Sequence, residues 1–101
     1  MSKITQRAEV VRTVKEAIRY HDNILPVEYY QYAPIYNSHS MLLEILDLIA
    51  FPAKLKRRYN SGHLMIGLLA SKALDGDDTF TDYAHLLHQA SGAIDDFVNG
   101  P

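Results

Sequence analysis

The sequence predicts an all-α fold, an antiparallel four-helix bundle made by one domain over residues 1–101. Three observations carry that expectation. Apolar residues recur with helical spacing in four stretches, near 4–18, 41–49, 64–74 and 80–97. No segment of useful length alternates with the period of two that a half-buried strand requires. Short segments containing Pro, Gly, Asn or Asp separate the stretches, and short connections make neighbouring helices antiparallel. A chain of 101 residues, 48% hydrophobic and 22% charged, has the size and balance of a single globular core and lies far from the signature of disorder.

In the first stretch Ile4, Ala8, Val11, Val14 and Ile18 form an apolar stripe that Val10 and Ala17 widen, and Asp22-Asn23 ends the helix. Residues 20–36 hold Tyr20, Tyr29, Tyr30, Tyr32 and Tyr36, are interrupted by Pro26 and Pro34, and keep no clean period. They read as a loop with at most one helical turn, which Pro26 can open. Ser38 or Ser40 can cap a second helix running through Met41, Leu42, Ile45, Leu46, Leu48 and Ile49, which Pro52 kinks or stops. Ser61 is a candidate N-cap for Leu64–Leu74, a helix apolar nearly all round and so expected to be the most buried, with Gly76 as its left-handed cap. Thr79 to Asp82 resembles a capping box before an unbroken stripe of Phe80, Tyr83, Leu87, Ala90, Ile94 and Phe97. Asn99, Gly100 and Pro101 are expected to close the chain.

A formal net charge of -2 gives no overall basic field, so nucleic acid is not an expected partner. The charge is uneven: residues 1–60 carry nine Lys/Arg against six Asp/Glu, and 61–101 carry one against six. The absence of cysteine excludes disulfides and fits a reducing compartment. Ser2 to Arg19 lacks the apolar core of a secretory signal, and the longest apolar run, Leu64–Ala70, is far below the ~20 residues that span a bilayer. A cytoplasmic location, peripheral at most to the inner membrane face, is expected.

Four features invite a functional reading. His85 and His88 have a spacing that suits a metal, but without further ligands they read as two exposed histidines, candidates for contact with a partner, and no metal or cofactor is expected. Asp75-Gly76-Asp77-Asp78 lacks the ligand positions of a calcium loop and reads as an acidic helix connection. The basic run Lys54, Lys56, Arg57 and Arg58 suits phosphates, anionic head groups or an acidic partner, and equally a solvated helix end. Tyr29, Tyr30 and Tyr32 suit a binding surface, and equally an aromatic cover over one end of the bundle. Arg58 and His63, with four residues between them, resemble the motif of HEPN ribonucleases, with Tyr59 where a polar residue is common. That short spacing arises often by chance, and the chain reads as a binding protein without catalytic residues or a small-molecule substrate.

Residues 41–96 resemble the immunity proteins of class IIa (pediocin-like) bacteriocins, in particular the enterocin A immunity group of Gram-positive bacteria. The resemblance rests on hydrophobic spacing: Leu42-Leu43-Glu44-Ile45-Leu46 leading to Lys56-Arg57-Arg58, a Ser/Gly break, Leu64 to Leu69, then Phe80-Thr81-Asp82-Tyr83 and Leu86-Leu87. It implies a cytosolic four-helix bundle that protects its producer from a pore-forming peptide. The implied target is the complex of bacteriocin with the membrane part of the mannose phosphotransferase permease, and selectivity is implied to lie in the C-terminal half. The tyrosine-rich segment, Pro52 and the near-neutral charge depart from the family pattern. A small phage or plasmid regulatory module is the reading from a different class.

Overall fold

The computed structural model describes residues 2–100, and they are all-helical: α1 (Lys3–Asn23), α2 (Ala33–Leu48), α3 (Pro52–Asn60), α4 (Ile66–Ala73) and α5 (Thr81–Asn99), with 3-10 turns at Val27–Tyr29 and Asp78–Phe80. Among the described residues there is no strand, and Pro101 lies outside them. Five helices stand where the sequence leads to four. The reason is Pro52: α2 ends at Leu48, and Pro52 becomes the first residue of a separate α3, a position where its missing N–H costs nothing.

The long helices α1 and α5 form the spine. They run antiparallel, since the Lys3 ammonium donates to the Phe97 carbonyl at 2.6 Å near one end while Tyr20 stacks on Tyr83 near the other. Ser2 caps α1, its hydroxyl accepting from the Thr5 N–H at 3.2 Å. The buried face of α1 is Gln6, Val10, Thr13, Val14, Ala17 and His21, so the apolar stripe expected from the sequence is out of phase. Ile4 is 84% exposed and Val11 and Ile18 sit at the boundary. Thr13 enters the core because its hydroxyl donates to the Glu9 carbonyl at 2.8 Å within its own helix, which removes most of the cost of burying it.

Helix α2 starts at Ala33, five residues before the expected Ser38 cap, because Pro34 fits the first turn. Ser38 is instead a buried interior residue. It donates to the Ile35 carbonyl at 3.0 Å, and since that uses its single proton, Tyr83 must donate to Ser38 Oγ across 2.8 Å. Ser61 is likewise not an N-cap: its N–H closes α3 on the Arg57 carbonyl, and Gly62 turns the chain at φ +89°.

The expectation that the third apolar stretch is the most buried helix is corrected. Helix α4 spans only eight residues, Leu68 is 46% exposed, and α5 takes the central place. What brings the two together is Gly67, where a Cβ would stand 2.6 Å from Ser91 Oγ. Gly76 has no positive φ; the connection turns at Leu74 and Asp75, whose N–H groups both reach the Ala70 carbonyl at 2.9 Å. The capping box does not form either, because Asp77 takes the role by accepting from the Thr79 N–H at 2.9 Å.

All six residues of the last expected stripe, Phe80 to Phe97, are buried. They join Val10, Val14 and Ala17 of α1, Leu42 and Ile45 of α2, Leu55 of α3 and Ile66 and Ala70 of α4 in one core.

Candidate functional site

Helix α3 is amphipathic with a minimal anchor. Leu55 is its one buried residue, while Lys54, Lys56 and Arg57 are exposed. Phe51, immediately before it, is 62% exposed. Beside α3 a groove of about 490 Å³ is lined by Lys3, Pro52, Ala53, Lys56, Phe97 and Val98, so the N-terminal end of α1 adds a cation to the α3 patch. Neither Lys3 nor Phe51 belongs to the run that the sequence singles out; the signal for Lys3 is the antiparallel α1/α5 pairing, which carries residue 3 to residue 97, whereas Phe51 simply precedes α3 in the chain.

Arg58 is not part of the free basic surface. Its Nε and Nη2 each contact one oxygen of Glu44 on α2 at 2.8 Å, a bidentate pair that ties α3 to α2. The Arg58 hydrogen bond holds the Glu44 carboxyl below its usual range. His63 pairs elsewhere. Ser61 donates its proton to the Arg58 carbonyl, so His63 Nδ1–H donates to Ser61 Oγ at 2.6 Å. The two residues of the ribonuclease-like spacing thus each make a different local contact.

The tyrosines divide between cover and surface. Tyr29 meets Phe80 edge-on with centroids 5.2 Å apart, and Tyr32 stacks on the same ring at 5.6 Å. Tyr30 stacks on His21 at 4.2 Å and donates its hydroxyl to the His21 carbonyl at 2.8 Å. Tyr29 and Tyr30 therefore close the end of the core, whereas Tyr32 keeps half its surface in solvent and Tyr36, on the first turn of α2, is 63% exposed.

His85 and His88 do not converge. His88 Nε2 faces the Asp75 carboxylate at 3.0 Å, and His85 accepts from the Gln89 side-chain amide at 3.1 Å. His85 also lines a groove of about 340 Å³ between α1 and α5, with Glu16, Arg19, Tyr20, Asp82 and Leu86.

A different pair of histidines does come together. His21, buried in the last turn of α1, lies face to face with His39 of α2, centroids 3.8 Å apart and ring planes 15° from parallel. His21 Nδ1 is 2.8 Å from Asp22 Oδ1, and His39 Nε2 is 3.4 Å from the same oxygen. That second contact lacks hydrogen-bond geometry, leaving His39 Nε2 buried without a partner. Burial, and then the neighbouring His21, lower the His39 pKa from its ordinary value against the opposing pull of Asp22. The histidines are eighteen positions apart in sequence, and only the fold of the 24–32 connection joins them.

No protein family, curated protein or solved structure matches the chain.

Proposed function

We propose that this chain is a bacteriocin immunity protein, protecting its producer by binding at the inner face of the membrane. The observation that carries the reading is α3, a short helix anchored by Leu55 alone that presents Lys54, Lys56 and Arg57 beside the exposed Phe51. An apolar side chain next to a basic helix suits the boundary between anionic head groups and acyl chains. Lys3 and Lys56 share one groove, which extends the same patch.

Magnitudes set the role of this contact. Four cations at about 1 kcal/mol each supply about 4 kcal/mol, which corresponds to millimolar affinity. Such a contact brings the protein to the surface without holding it there. Specificity then belongs to a second surface that reads a membrane protein already occupied by the peptide, in this proposal the mannose phosphotransferase permease. Leu68 on α4, together with Tyr32 and Tyr36 at the start of α2, leaves apolar area in solvent for that purpose. Since no described helix is long and apolar enough to cross a membrane, the chain reaches that target as a peripheral partner in this scheme.

Expression inside a sensitive strain, challenged with a panel of class IIa bacteriocins, tests the reading. Survival raised against one member is the expected result, with no heat of binding between the purified protein and that peptide alone. Equal killing across the panel would contradict the proposal.

A further inference from the structure

We propose that His21, Asp22 and His39 form a binding site for one divalent transition-metal ion of the zinc class, clasping the end of α1 to α2. The two imidazole nitrogens, His21 Nδ1 and His39 Nε2, both lie close to one atom, Asp22 Oδ1, at 2.8 and 3.4 Å. A tetrahedral ion with bonds of 2.0–2.1 Å keeps its ligand atoms about 3.3 Å apart. All three donors already lie within 4.8 Å of one another. Two imidazoles and a carboxylate select a borderline ion over calcium or magnesium, and water completes the fourth position.

Two further features favour the site. His39 Nε2 is buried with no hydrogen-bond partner, a cost that a metal bond removes. Both His21 and Asp22 lie in the last turn of α1, where the negative end of the helix dipole favours a cation.

Binding requires a definite rearrangement. Asp22 Oδ1 must shift to make room for the ion, and its side chain is half exposed. Parallel rings cannot aim both lone pairs at one ion, so one ring must tilt. His21 is clamped between His39 and Tyr30, whereas the His39 side chain is a quarter exposed, so His39 is the ring that moves. Because Tyr30 stacks on His21 and hydrogen-bonds its carbonyl, the ion would stiffen the tyrosine segment as well. The ion's role is structural, and the inference stands apart from the immunity reading.

The test uses tag-free full-length protein titrated with Co2+ and with Zn2+ near pH 7, followed by calorimetry, the visible absorption of Co2+ and thermal melting. One ion per chain, a tetrahedral Co2+ spectrum and a rise in Tm of about 5 °C or more at saturating Zn2+ are expected. All three should be lost in His39→Gln and weakened at least tenfold in Asp22→Asn, with the helical circular dichroism of both variants unchanged. A double variant, His85→Ala with His88→Ala, should bind as the wild type does. Absence of stoichiometric binding overturns the proposal, as does binding that survives His39→Gln or disappears in the His85/His88 variant.

Discussion

Tyr83→Phe removes one oxygen from the centre of the molecule, and its effect on stability should change sign with pH. Tyr83 is fully buried, donates to Ser38 Oγ, and has its phenol pushed up to about 12 by burial. At neutral pH the substitution deletes a buried hydrogen bond but leaves Ser38 donating to the Ile35 carbonyl. The expected cost is about 1 kcal/mol, which for a domain of this size lowers Tm by about 4–8 °C. At high pH the sign reverses. A group whose folded pKa is raised contributes its stability below the unfolded value, here 10, and loses it as pH climbs through the folded value of about 12. Two units at 1.36 kcal/mol each amount to about 2.7 kcal/mol, lost by the wild type and not by the variant. Urea melts from pH 7 to 12 should therefore show the variant weaker at neutral pH and the stronger of the two at the alkaline end, with a crossing near pH ~11. Every other group is common to the two proteins and cancels in the difference. Curves that stay parallel would refute the account of Tyr83 as a neutral, desolvated donor.

Two other substitutions test separate parts of the structure. Leu87→Asp places an unpaired carboxylate at a fully buried position of α5, at a cost above ~4 kcal/mol, and circular dichroism should show an unfolded chain; a folded variant with unchanged melting would contradict the packing of α5. Glu44→Gln should make stability less dependent on acid: with the folded pKa of Glu44 depressed, the pair with Arg58 contributes above the unfolded value of 4.5 and fades as pH falls through the folded one. The difference between wild type and variant is small, because both side chains are more than a third exposed, and it should shrink as pH falls below 4.5 in denaturant melts. A difference that does not change with pH would show that Glu44 acts through packing.

How much of this was legible in the sequence depended on whether the deciding contact was local. The stripe of α5 was legible because each of its large apolar residues faces the same core. The stripe of α1 falls out of phase in the sequence pattern, since Gln6, Thr13 and His21 count as polar yet lie on the buried face. Pro34 and Pro52 read as interruptions although each sits in the first turn of a helix, where proline is favoured. The same division holds for the candidate surfaces. Lys54, Lys56 and Arg57 were visible as a run, whereas the capture of Arg58 by Glu44, fourteen residues away, was not. His85 and His88 drew attention through spacing alone, while His21 and His39 meet only because the chain folds back between α1 and α2.

Survival of a bacteriocin-sensitive strain expressing either the wild type or the double variant Lys56→Glu with Arg57→Glu, at matched protein levels, tests the central claim most directly. Both substitutions fall on exposed positions of α3, so the variant should fold and melt as the wild type does. The wild type should protect against one class IIa peptide, and the variant should lose most of that protection. Failure of the wild type against every peptide, or full protection by the charge-reversed variant, would contradict an immunity protein that works through the basic face of α3.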